Sequence, residues 1–138
     1  MQERSEPIAS STERVKVVLK KILIVEDVAL NLDLLIQLLE DEYELVTAAN
    51  GAEGVLRAEQ TRPDLILMDI SLPVLDGYAA TRRIKANAAL QHIPVIALTA
   101  YAMQGDAEKA YAAGCDAYLA KPLDEVLLFA ALAQFLGE

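Results

Sequence analysis

Apolar residues along this chain fall into blocks of two kinds. Five short apolar-rich runs, at 22–25, 43–48, 64–68, 94–98 and 115–119, alternate with longer stretches in which apolar residues recur every three or four positions. Runs of four to six residues with little polar alternation suit strands buried on both faces, whereas the recurring spacing suits amphipathic helices. The pattern predicts strands over those runs and helices over 29–41, 52–60, 78–88, about 103–113, and a last one after Lys121. In the first helix Leu34, Leu35, Leu38 and Leu39 are expected to face inward. The punctuation agrees: Asn50-Gly51 and Asp76-Gly77 open helices, Pro63 closes a unit, Gly114 stops a helix, and Pro122 suits a first helical turn. Strict alternation of strand and helix predicts an α/β fold, a five-stranded parallel sheet sandwiched by five helices.

Residues 1–20 break the pattern. Ser5, Pro7, Ser10, Ser11 and Thr12 stand among charges and read as a tail, which leaves 21–138 as the folded domain. Two readings of its end stay open: Thr12 capping a short helix through Val15, Val18 and Leu19, or 17–19 lengthening the first strand. A length of 138 residues fits one domain able to bury a core without staples. Hydrophobic content of 54% and a net charge of -9 exclude a disordered acidic tail and a basic nucleic-acid binder. The first residues lack the basic-then-apolar order of a signal peptide, and no run approaches the roughly 18 apolar residues of a membrane span. The single Cys115 rules out an internal disulfide, suits a reducing cytoplasm, and is expected to be a small buried hydrophobe.

A parallel sheet brings the carboxyl ends of all its strands to one edge, where ligands and reactive groups collect. Glu26 and Asp27 follow the first strand, Asp69 the third, Thr99 the fourth and Lys121 the fifth, so one rim gathers them all. Carboxylates crowded there repel by about 4 kcal/mol per pair at 4 Å and an effective dielectric near 20. They call for a cation. A hard-oxygen set of this kind suits Mg2+, which takes one or two carboxylates, keeps several waters and recruits phosphate oxygens. Glu26, Asp27 and Asp69 carry -3, and Mg2+ with Lys121 carries +3, so the loaded site is neutral and can accept a phosphoryl group. Asp69 is placed to act as a carboxylate nucleophile and form an acyl phosphate, with metal and Lys121 offsetting charge on the transferring group. Thr99 offers a hydroxyl to one of the new phosphate oxygens.

Four segments, Ile22-Leu23-Ile24-Val25-Glu26-Asp27, Leu65-Ile66-Leu67-Met68-Asp69, Ala97-Leu98-Thr99-Ala100 and Tyr118-Leu119-Ala120-Lys121-Pro122, together resemble the receiver domain of two-component response regulators over nearly the whole chain. The resemblance implies the flavodoxin-like strand order 2-1-3-4-5, Asp69 as phosphoacceptor, Asp27 as a direct Mg2+ ligand, and Glu26 holding the metal through water. It further implies the backbone carbonyl of Ser71 as a ligand, Thr99 and Lys121 as phosphate sensors, Tyr118 as a switch aromatic, and a cis peptide at Lys121-Pro122. Val28 stands after the acidic pair where many relatives have a polar residue, and Ser71 and Tyr101 occupy positions that tune water access to the phosphate, so these departures bear on phosphate lifetime.

Taken singly, each residue has an ordinary reading. Asp27 could cap the first helix, Thr99 could be a strand-end hydroxyl, Lys121 a solvated charge, and Tyr118 a core aromatic with a wet hydroxyl. His92 has no ligand-type neighbour and is expected to be a solvated loop residue. The apolar stretch Val126-Leu127-Leu128-Phe129-Ala130-Ala131-Leu132-Ala133 exceeds the stripe a sheet-covering helix needs, which suggests a partner or a homodimer through the last helix.

The leading expectation is a stand-alone cytoplasmic response regulator. A histidine kinase or histidine phosphotransfer protein would phosphorylate Asp69, and the effect would pass to a downstream protein target by contact, with no nucleic acid and no membrane. A haloacid dehalogenase-type phosphatase also uses an aspartate nucleophile and Mg2+, but it needs a second acid where Ser71 stands, and a cap. A flavodoxin-like cofactor binder would need a Ser/Thr/Gly-rich loop where Val28-Ala29-Leu30 stands. An unphosphorylated adaptor is disfavoured by the intact acid set.

Overall fold

The computed structural model describes residues 18–100 and 105–137. Its elements are β1 (Lys21–Val25), α1 (Ala29–Leu39), β2 (Glu44–Ala48), α2 (Gly51–Thr61), β3 (Leu65–Asp69), α3 (Gly77–Ala86), β4 (Val95–Thr99), α4 (Asp106–Ala113), β5 (Ala117–Ala120) and α5 (Glu125–Leu136). All strand pairs are parallel, in the order β2-β1-β3-β4-β5. Register places Ile24 beside Leu67, Leu67 beside Ile96, and Leu98 beside Leu119.

Successive side chains of a strand point to opposite faces, so an all-apolar strand needs cover on both. Leu23, Val25, Ile66, Met68, Val95 and Ala97 meet Ala58 of α2, Ala80 and Ile84 of α3, and Ala110 of α4. On the other face Ile22, Ile24, Leu65, Leu67, Ile96 and Leu98 meet Leu35 and Leu39 of α1 and Leu128, Leu132 and Leu136 of α5. The central strands are sealed, while the edge strands β2 and β5 are largely half-buried because each has a neighbour on one side only.

Helix ends follow local chemistry. Asn50 caps α2 by accepting from the Glu53 N–H at 2.8 Å, and Glu53 reciprocates toward Ala49 N–H at 2.8 Å. Asp76 caps α3 through Ala79 N–H at 2.9 Å. Gly114, at φ 105, closes α4 in the left-handed conformation a glycine tolerates.

Several expectations need correction. Leu34 is 53% exposed, because the stripe α1 turns to the sheet is centred on Leu35 and Leu39, with Leu32, Ile36 and Leu38 half-buried at its sides. Pro122 lies outside α5; it follows a cis peptide bond, and the helix opens at Glu125 with Asp124 accepting from Val126 and Leu127 N–H at 2.8 and 3.2 Å. Val18 and Leu19 do not lengthen β1, Val18 being 84% exposed. The rest of the tail, together with Tyr101 and the expected start of α4 near Met103, lies outside the described residues. Cys115 is buried and His92 exposed, as their sequence context indicates.

Candidate functional site

The sheet's hydrogen-bond ladder runs one step past three strand ends and fixes the rim. Glu26 N–H donates to Ala48 O at 3.0 Å, Ile70 N–H to Leu98 O at 3.0 Å, and Lys121 N–H to Thr99 O at 2.7 Å. Each bond pins the backbone at or beside a candidate residue. A fourth constraint is steric: at Gly77, where α3 starts, any Cβ would stand 2.2 Å from Asp69 O, and Gly77 N–H itself donates to Ile70 O at 3.1 Å. The strand end that carries Asp69 is thus clamped between β4 and the first turn of α3.

Glu26 and Asp69 are buried, at 1% and 3% exposure, while Asp27 is exposed. A carboxylate oxygen from each lies within 4.8 Å of the other two, so the three form one cluster. Lys121 Nζ bridges the buried pair, 3.0 Å from Glu26 Oε1 and 3.3 Å from Asp69 Oδ1. Glu26 Oε2 accepts from Val28 N–H at 3.1 Å, and Asp69 Oδ1 accepts from Ser71 N–H at 3.1 Å. Asp27 does not cap α1: the N-cap is Val28, with no side-chain cap bond.

Burial pushes the Glu26 carboxyl up, and the charge of Asp69 adds to that; the Val28 N–H and Lys121 oppose it without cancelling it. For Lys121 burial works against the charged form, but the hydrogen bond to Glu26 and the charges of Asp69 and Glu26 outweigh it and hold the ammonium above its ordinary range. Three carboxylates against one ammonium leave a formal -3 + 1 = -2 at the cluster. Hard oxygens with a residual charge of that size fit one divalent cation.

Thr99, 5% exposed, ends β4 beside this cluster, and Tyr118 sits half-buried on β5 opposite Ala97. An apolar groove of about 530 Å³ opens next to the acids; its walls include Glu26, Leu34, Leu98, Lys121 and Leu123.

A protein-family model for the response regulator receiver domain matches residues 22–133. The chain belongs to the response regulator receiver family. Among curated relatives, the polar-differentiation response regulator DivK of Brucella anthropi is 43% identical over 120 residues, which cover 86% of this chain and 98% of that protein. A receiver domain of a sensor histidine kinase from Pseudomonas aeruginosa, solved with magnesium coordinated in its active site cleft, superposes with a TM-score of 0.82 at 43% identity, covering 88% of this chain and all of that one. The receiver domain of a response regulator from Saccharomyces cerevisiae, solved in complex with its histidine phosphotransfer protein, gives a TM-score of 0.79 at 32% identity over 87% and 91% of the two chains.

The receiver's tertiary structure therefore brings together Glu26, Asp27, Asp69 and Lys121, with Thr99 on the adjoining strand. Three features escape a linear reading. Lys121 is shared between Glu26 and Asp69, where the sequence suggests a positive charge on the rim and a phosphate contact but not this bridge. Val74 adopts φ 70 at the centre of a tight turn closed by Leu75 N–H to Pro73 O at 2.7 Å, a conformation no sequence rule assigns to valine. The Asp76-Gly77 pair signals a helix start, but nothing local signals that Gly77 must also clear the Asp69 carbonyl.

Proposed function

We propose that this receiver accepts a phosphoryl group on Asp69 from a histidine kinase or histidine phosphotransfer protein, in a reaction that requires Mg2+, and signals by protein contact. The observation that carries the reading is the buried Glu26–Asp69 pair bridged by Lys121, with Asp27 completing an acidic cluster that lacks two positive charges.

In this reading Asp27 and Asp69 would hold the cation directly and Glu26 through water, and the Ser71 carbonyl would complete the protein's share. The metal, when bound, offsets the negative charge of the transferring phosphoryl group. Ser71 N–H donates to Asp69 Oδ1 and Lys121 Nζ pairs with the same oxygen, which orients the carboxylate. The carboxylate attacks phosphorus; the bond from phosphorus to the donor's nitrogen breaks, and that nitrogen keeps the electron pair and takes a proton from water. Lys121 then turns from Glu26 to the new phosphate, and Thr99 donates its hydroxyl to another phosphate oxygen, drawing Tyr118 after it. Catalysis is confined to the receiver's own phosphorylation and dephosphorylation.

The donor leans on the groove beside the acids, where Leu34 on α1 is exposed although apolar. On α5, Val126 and Leu127 are 77% and 58% exposed, surface suited to a target or a second copy. Among the described residues no helix is long and apolar enough to cross a membrane, in keeping with action in the cytoplasm.

Incubation with acetyl phosphate and Mg2+, followed by intact mass, tests the reading. One phosphoryl adduct is expected, absent in EDTA and in Asp69→Asn. An adduct that persists in Asp69→Asn, or none in the native protein, refutes it.

A further inference from the structure

Tyr118 sits half-buried on the edge strand β5 and packs against the core. Its cross-strand neighbour on β4 is Ala97, and the helix covering that face offers Ala110 and Ala113 as its buried residues. Among the described residues, its one ring-to-ring contact is with Tyr111 of α4, centroid to centroid 6.2 Å at an interplanar angle of 82°. That edge-to-face arrangement is a favoured one for aromatic pairs.

Tyr111 is an unusual partner because it is itself 51% exposed on the outer surface of its helix. Its backbone is fixed, the Tyr111 carbonyl accepting from Gly114 N–H at 3.0 Å in the α4 cap. A ring on a fixed backbone thus meets the Tyr118 ring from outside. On β4, Thr99 lies two residues beyond Ala97 and so faces the same side of the sheet as Tyr118. Thr99 and Tyr118 thus share one face of the sheet, and Tyr111 meets Tyr118 from the surface.

We infer that Tyr111 is a positioning residue that holds Tyr118 in its resting place and so sets how readily the receiver enters its phosphorylated state. The inference rests on the proposed movement of Tyr118 toward Thr99, which would break the ring contact. A contact present in only one of two states biases the equilibrium toward that state by its own strength. Removing it therefore favours the phosphorylated state.

The test is calorimetric titration of beryllofluoride, a phosphoryl mimic, into the full chain in Mg2+. Tyr111→Ala is expected to bind about 2- to 12-fold more tightly than the native protein, the range that an aromatic pair supplies. Tyr111→Phe, which keeps the edge-to-face contact, is expected to stay within about two-fold. In a Tyr118→Ala background Tyr111→Ala is expected to change nothing, a result that a merely structural tyrosine would not give. Unchanged affinity in Tyr111→Ala, or the same gain with Tyr118 already removed, overturns the inference. Should Tyr111→Ala melt early, Tyr111→Leu in the same titration replaces it with the same expectation. If the native protein fails to bind beryllofluoride at all, the phosphoacceptor reading itself falls, and the role of Tyr111 with it.

Discussion

Gly77→Ala probes how closely the site depends on the helix that follows it. The added Cβ would stand 2.2 Å from Asp69 O, 2.8 Å from Ile70 Cα and 3.0 Å from Asp69 C, all of them backbone atoms. None can rotate away, so restoring a normal carbon–oxygen contact requires the first turn of α3 and the end of β3 to part by about 1 Å. Overpacking of that kind costs about 1–3 kcal/mol, and the Gly77 N–H bond to Ile70 O at 3.1 Å is stretched with it. A shift near 1 Å at a reacting group can lower its rate about 100-fold. Gly54→Ala is the internal comparison, because the nearest atoms to its Cβ would be those of the Val25 side chain, Cγ at 3.0 and 3.1 Å and Cβ at 3.6 Å, rather than backbone. Urea denaturation together with acetyl phosphate labelling followed by mass reads both effects. Gly77→Ala is expected to lose stability and to label far more slowly, with Gly54→Ala near native labelling. Equal labelling rates in the two variants would refute the clamp.

Other outcomes follow from the same geometry. Asp69→Asn removes a buried charge from an acidic cluster with a formal -2, so in EDTA it should raise stability by about 1 kcal/mol, a gain that shrinks as Mg2+ is added; thermal melts across a Mg2+ series check it. Val74→Gly relieves a β-branched residue at φ 70 whose side chain is 82% exposed, and should stabilise by up to about 1 kcal/mol in urea denaturation. Burial raises the Cys115 thiol, the bond to Thr81 and the charge of Lys85 only partly opposing it. The folded protein therefore keeps that proton longer than the unfolded chain does. Its contribution to stability is complete below the ordinary thiol value, about 8.5, and is lost as pH rises beyond it; Cys115→Ala should flatten that part of the pH–stability curve, and iodoacetamide at pH 8 should modify the native thiol far more slowly than the urea-unfolded one.

Sequence alone determined the alternation of buried strands and helices, because a strand covered on both faces must be nearly all apolar and a covering helix must be striped. It also placed Glu26, Asp27, Asp69, Thr99 and Lys121 on one rim, since parallel strands end on one side whatever their order. Signals carried by short-range hydrogen bonds, such as Asn50 and Asp76 as caps, were equally legible. The last helix was less so: proline tolerance favoured a start at Pro122, but the side-chain bonds of Asp124 decided it. In the same way α1 turned Leu34 outward, because the width of a helix's buried stripe depends on what lies across from it. Tertiary structure alone decided that Lys121 is shared between two buried acids, that Gly77 lies against the Asp69 carbonyl, and that Tyr111 meets Tyr118. Those are contacts between side chains and backbones that approach only after the sheet has formed. No periodicity along the chain encodes them, since they depend on crossing distances of a few ångströms rather than on which face a residue occupies.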